Sequence, residues 1–232
     1  MANYLIIGGS SGIGLELCAN LIATGNRVYA TYNTHPVQSE NNQLSYHPLN
    51  VLDDQIHLDF LPESIDGLVY CPGAISLRPF ARIKPEEFIA DFNLQVIGAV
   101  KTIQAALPKL KLGSNPSIVL YSTVAVQVGL NFHTQVAISK GAIEGLTKSL
   151  AAELAPTVRV NCIAPSLTNT PLAANLLNSD QKMEANAQRH PLKRVGLSSD
   201  IAHMTAFLLS DKSSWTTGQI FHVDGGMSTL KV

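Results

Sequence analysis

Charge is scarce in this chain. Of 232 residues only 14% are Asp, Glu, Lys or Arg, and the 16 basic and 17 acidic side chains leave a formal net charge of -1. Without a long-range basic field to gather phosphate backbones, a dedicated nucleic-acid binder is disfavoured. Charge-laced helical and disordered classes are excluded as well, because 46% of residues are hydrophobic and mean hydropathy is +0.15. Cysteine is scarce too. Cys18, Cys71 and Cys162 are scattered and odd in number, giving no CxxC pair and no disulfide framework, so a reducing, cytoplasmic setting is expected. Long apolar runs are missing. Tyr4-Leu5-Ile6-Ile7 stops at Gly8, too short for a signal-peptide core, and no stretch reaches the ~18 apolar residues of a membrane helix. The histidines His35, His47, His57, His190, His203 and His222 show no HExxH or other ligand spacing, so no metal site is expected.

What remains is a regular alternation. Strands are expected at 3–7, 28–32, 44–47, 68–71, 117–123, 158–163 and 219–223. Helical spacing fills 12–24, 85–112 (in two pieces, with Pro85 near the start), 136–154 and 200–209. Strands alternating with helices imply a parallel sheet covered on both faces, with right-handed crossovers. No repeat or Pro/Gly/Ser linker divides the chain, so residues 1–232 are expected to form a single α/β domain, a doubly wound Rossmann-type sheet of about seven strands. The Pro-interrupted segment 165–191 reads as a long irregular loop, the kind of segment that often serves as a substrate lid.

The first strand runs directly into Gly8-Gly9-Ser10-Ser11-Gly12-Ile13-Gly14, which opens the first helix. Glycines there let the backbone turn sharply and approach a pyrophosphate, whose charge then sits at a helix N-terminus. A plain turn is the structural alternative; strand before and helix after favour nucleotide binding.

The spacing Gly8-x3-Gly12-x-Gly14 resembles that of the short-chain dehydrogenase/reductase family, with Ile7 where a threonine normally precedes the first glycine. Asn93-Leu94 looks like the family's fourth-helix Asn-Leu. Arg159-Val160-Asn161 with Pro165 and Thr170 is similar to its sixth-strand signature, with Ser166 where glycine is usual. Gly218-Gln219 and Val223-Asp224-Gly225-Gly226 look like its last strand, while its Asn-Asn-Ala-Gly motif stands here as Tyr70-Cys71-Pro72-Gly73. The resemblance implies an oxidoreductase with a nicotinamide cofactor, small-molecule substrates and a homodimer or homotetramer paired through helix faces 93–112 and 136–154.

An acid at the end of the second strand would select NAD by binding the ribose 2′-hydroxyl. The chain has Thr31-Tyr32-Asn33-Thr34 there, so NADP is favoured, although no arginine follows and Arg27 lies at the strand's other end. By resemblance Asn50 and Val51 flank the adenine, Pro72 and Gly73 line the nicotinamide side, and Thr168 and Thr170 contact carboxamide and pyrophosphate. Turn geometry at Asn50 and ordinary loop polarity at the two threonines are the bland alternatives.

The family reduces carbonyls with Asn, Ser, Tyr and Lys, the last two as Tyr-x-x-x-Lys. Asn93 and Lys140 match the ends of that set, and Thr123 takes the serine position. Val136 stands four residues before Lys140, where valine cannot transfer a proton. Three replacements are open: His133, one turn earlier, with an imidazole suited to proton transfer near neutrality; Tyr121, read more simply as a core aromatic; and a water held by Lys140 and Thr123. The competing function is a binding module that keeps the cofactor site without turnover, as a redox sensor or partner subunit.

Overall fold

The structure is a computed structural model that describes residues 1–34 and 36–231; His35, among the histidines weighed for metal spacing, lies outside them. Its strands are β1 (Asn3–Ile7), β2 (Arg27–Tyr32), β3 (Leu44–Pro48), β4 (Gly67–Tyr70), β5 (Ser117–Tyr121), β6 (Arg159–Pro165), β7 (Thr168–Asn169), β8 (Gly196–Leu197) and β9 (Ile220–Val223). Its α-helices are α1 (Gly12–Ala23), α2 (Pro85–Phe92), α3 (Gly98–Leu110), α4 (Thr134–Leu154), α5 (Asp180–Gln188) and α6 (Ser198–Leu209).

Seven strands form one sheet in the order β3-β2-β1-β4-β5-β6-β9, every pairing parallel. Alternate strand residues face opposite layers. Leu5, Ile7, Leu68, Ile118 and Leu120 pack against Ile103 and Leu110 of α3 and Ile143 and Leu154 of α4. Tyr4, Ile6, Val69, Val119 and Ile163 pack against Leu17 and Leu21 of α1 and Ile201 and Leu208 of α6. Because both faces are covered, the strands read as continuous apolar runs, the feature that made them visible in the sequence.

The sixth-strand signature residues prove architectural. Arg159 donates to the Leu208 and Ser213 carbonyls from a buried position, and Asn161 bonds Thr216 O and Gln219 N, fixing the chain that leads into β9.

The 85–112 stretch is in two pieces, α2 and α3, joined through a π-helical turn at Asn93–Ile97. One sequence expectation needs correcting: segment 165–191 is far from irregular. It holds β7, a 3₁₀ turn at Pro171–Leu176 and α5, and its Ala173, Leu177 and Ala187 form a separate apolar cluster with Val195. The start of α5 was legible: Ser179 is its N-cap and accepts from Lys182 N at 3.2 Å.

Candidate active site

Since all seven strands run the same way, their C-terminal ends share one edge, and the chain reverses its winding between β1 and β4. A cleft of about 610 Å³ opens along that edge, bordered from Asn33 and Thr34 after β2 to Pro165 at the end of β6 and Ser166 beyond it. Four strand spacings separate those limits, ~19 Å.

The glycine loop floors one half. Gly8 and Gly12 hold φ of +74° and +53°, which glycine adopts without strain. Gly14 lies so close beneath the loop that a β-carbon there would stand 2.4 Å from Gly8 O. The Thr31 hydroxyl accepts from Gly8 N at 3.1 Å and fastens the loop to β2. Ser11, the N-cap of α1, makes no side-chain cap, and the first turn carries no acid. The leading N–H groups of α1 therefore face the cleft with no intrahelical partner, the geometry that accepts an anion. Gly8, Ser10, Ser11, Gly12, Ile13 and Gly14 all line this half.

The other half is built around Lys140. It stands on α4 one turn after Val136, and both line the cleft with Pro72, Gly73 and Thr123. Burial pulls the Lys140 ammonium down to about 8, against weaker upward pulls from Cys162, Asp91 and Cys71. A β-carbon on Gly73 would lie 3.7 Å from Lys140 Nζ and 3.4 Å from Gln95 Oε1, so glycine leaves room between these polar atoms. Gln95 is fully buried. Its Nε2 donates to both Asp91 carboxylate oxygens at 2.8 Å, Ser139 donates to the same carboxylate at 2.5 Å, and Gln95 Oε1 has no partner.

Asn93 is not brought into this constellation: it is exposed and lines no part of the cleft. Two residues around a helix separate side chains by about 200°, so once Gln95 faces Lys140, Asn93 must face out. The buried positions Asp91, Gln95, Ala99, Thr102, Ala106 and Leu110 recur at helical spacing. That periodicity, rather than the Asn-Leu pair, was the signal for Gln95.

Placement of the other expected residues is mixed. Thr123 Oγ1 accepts from Ala125 N at 3.3 Å, leaving its proton free for the cleft, whereas the Ser122 hydroxyl is spent on Glu144 at 2.6 Å. His133 borders the cleft as the residue preceding α4, its Nδ1 held by Asn131 O at 2.7 Å. Tyr121 is the core aromatic: Thr205 gives its own proton to Ile201 O, so the Tyr121 hydroxyl donates to Thr205 at 2.7 Å. Asn33, Thr34, Pro165, Thr168 and Thr170 border the cleft. Thr168 donates to Ser166 O at 3.0 Å, and Thr170 packs over Gly12.

Thr31, Tyr32, Asn50 and Val51 do not border it. Thr31 is buried in the loop contact already described, Asn50 closes a turn through Leu52 N and Asp53, and Val51 is core, packed against Gly98.

Among the described residues no Asp or Glu lines the cleft, where the charged side chains are Lys140 and Arg189. No group of three His, Cys, Asp or Glu side chains there could hold a metal, and no helix is long and apolar enough to cross a membrane.

A doubly wound parallel sheet with an anion-accepting glycine loop at its switch point defines a dinucleotide-binding α/β protein. Comparison with known proteins narrows this. Residues 8–228 match the enoyl-(acyl carrier protein) reductase family. The chain is 30% identical to L-xylulose reductase of Bos taurus over 96% of its length and 94% of the relative's. It is 29% identical to a tropinone reductase homolog of Arabidopsis thaliana over 97% and 92%. A short-chain dehydrogenase family protein of Francisella tularensis superposes with a TM-score of 0.90 at 29% identity, covering 99% of this chain and 100% of the other. The chain belongs to the short-chain dehydrogenase/reductase family of nicotinamide-dependent oxidoreductases.

Proposed function

We propose that the protein is an NADP(H)-dependent oxidoreductase acting on a small carbonyl, alcohol or activated double bond, with a proton donor other than the family tyrosine. The observation that carries this reading is the pairing, across Gly73, of Lys140 Nζ with the buried, partnerless Gln95 Oε1 in a cleft whose described lining holds no acid. A buried acceptor without a partner is costly and calls for a donor from a ligand; a carboxamide or ribose hydroxyl can supply one.

A bound nicotinamide dinucleotide supplies the hydride. Gly8–Gly14 and the α1 N-terminus would hold its pyrophosphate, with Thr170 above. Asn33 and Thr34 would meet the 2′-phosphate end, and Pro72, Gly73, Pro165, Thr168 and Lys140 the nicotinamide end. Thr123 donates a hydrogen bond to the substrate oxygen. Lys140 holds ribose hydroxyls, Gln95 stands in the place first given to Asn93, and His133 reaches the cleft's rim.

Calorimetry tests the cofactor side. NADPH should bind more tightly than NADH, each tenfold being worth ~1.4 kcal/mol, and Lys140→Met should weaken both. Equal or reversed affinities would refute the preference.

One observation favours a second reading, a cofactor-binding sensor or partner subunit without turnover: Val136, 6% exposed, fills the helix face before Lys140 with an apolar side chain. Turnover on a carbonyl panel separates the two. The three free cysteines suit a reducing, cytoplasmic setting, and Ile97 and Ile138, exposed at the π-turn and on α4, fit a homodimer or homotetramer paired through those helices.

A further inference from the structure

The cleft that Lys140 borders also carries a serine–histidine pair. Ser166, the first residue after β6, stands 2.8 Å from His190 Nε2, and His190 Nδ1 stands 2.8 Å from Asn186 O at the end of α5. A carbonyl can only accept, so Nδ1 carries a hydrogen and Nε2 faces Ser166. His190 is 3% exposed and borders the cleft, as does Ser166. The Ser166 hydroxyl also lies 3.0 Å from Met227 Sδ, a weak acceptor that a substrate oxygen would displace.

We propose that Ser166 and His190 deliver the proton of this cleft, Ser166 as the catalytic residue touching the substrate oxygen and His190 supplying it from behind. This rests on the oxidoreductase reading above. β5 and β6 are neighbours, with Tyr121 opposite Ile163 and Ser122 N bonded to Ile163 O, a register that sets Thr123 beside Pro165, the residue before Ser166. Thr123 and Ser166 both border the cleft from these neighbouring strand ends.

In carbonyl reduction the carbonyl carbon gains hydride from the reduced nicotinamide, and its π electron pair moves to oxygen. With His190 first protonated at Nε2 by solvent entering the cleft, that oxygen takes the Ser166 Oγ proton and Oγ takes the Nε2 proton. The imidazolium ends neutral, the nicotinamide ends oxidised, and alcohol oxidation runs the same steps backwards. The charged groups bordering the two cavities that flank His190 are Lys140, Arg189, Arg194, Asp200 and Asp224, with Cys71, Tyr121 and His133 the other titratable groups. Arg194 and Asp200 neutralise one another in an ion pair.

The test combines imidazole NMR with turnover. In the intact protein saturated with NADP+, His190 should titrate at lower pH than with NADPH, because only the oxidised ring adds a positive charge nearby. Ser166→Ala and His190→Gln should each lower NADPH-dependent reduction of a panel of aliphatic and aromatic aldehydes by roughly 10²–10⁴-fold, with NADPH affinity and melting temperature retained. Ser166→Ala keeps the His190–Asn186 bond and serves if His190→Gln does not fold. Binding of both dinucleotides with identical His190 titrations, or full turnover in folded Ser166→Ala, overturns this proposal alone. Failure to bind NADPH, or binding without turnover of any aldehyde, overturns the oxidoreductase reading and the proposal with it.

Discussion

Replacing Gly14 by alanine places a methyl carbon 2.4 Å from Gly8 O and 3.0 Å from Gly9 Cα, both backbone atoms that no rotamer change can move. α1 and the glycine loop must part by more than half an ångström, and the loop is pinned by Thr31 at Gly8 N and by Pro72, 3.4 Å from where a Gly8 β-carbon would stand. Overpacking of this kind costs ~1–3 kcal/mol, which in a chain of this size lowers the melting temperature by ~2–12 °C. Two controls separate causes. Gly25 has φ +79° with nothing within 4 Å of an added β-carbon, so Gly25→Ala carries backbone strain alone, about 1 kcal/mol. Gly129 has neither a crowded β-carbon nor a positive φ, so Gly129→Ala should be neutral or slightly stabilising. Calorimetric melting of the three variants should rank Gly129, Gly25, Gly14 from least to most destabilised. NADPH affinity should fall in the Gly14 variant alone. A Gly14→Ala protein that melts with Gly129→Ala and binds NADPH like the parent would refute the close approach of α1 to its loop.

Lys140 gives a pH signature. Burial lowers its folded value to about 8, so between there and the ~10.4 of an unfolded lysine the unfolded chain binds more protons, and this group's contribution to stability rises with pH across that window. Urea midpoints of wild type minus Lys140→Met should climb from pH 7.5 to 10; a flat difference would place the ammonium in water. Val136→Tyr rebuilds Tyr-x-x-x-Lys on one face of α4. In a silenced site it should create or raise ketone and aldehyde reduction with NADPH by up to the ~10²–10⁴-fold of a positioned acid, whereas in an enzyme with its own donor the added ring should crowd the cleft and lower turnover. A folded, NADPH-binding variant that reduces nothing on the panel argues against a merely silenced site.

The sheet and the glycine loop that opens α1 were legible in the sequence alone. Apolar runs buried on both faces are read directly from composition, and a glycine loop between strand and helix is a local feature whose partners are within a few residues. Register and packing decided what local reading could not. Thr31 lies at a strand end like Asn33, yet one turns inward to hold the loop and the other borders the cleft. Asn93 matched a familiar dipeptide, but the face of the helix that meets α4 chose Gln95, because side-chain direction in a helix follows rotation rather than residue type. Ser166 and His190 are 24 residues apart and share no motif. Only the return of α5 toward the end of β6 brings an imidazole to a hydroxyl, and such long-range contacts are specified by the whole core at once.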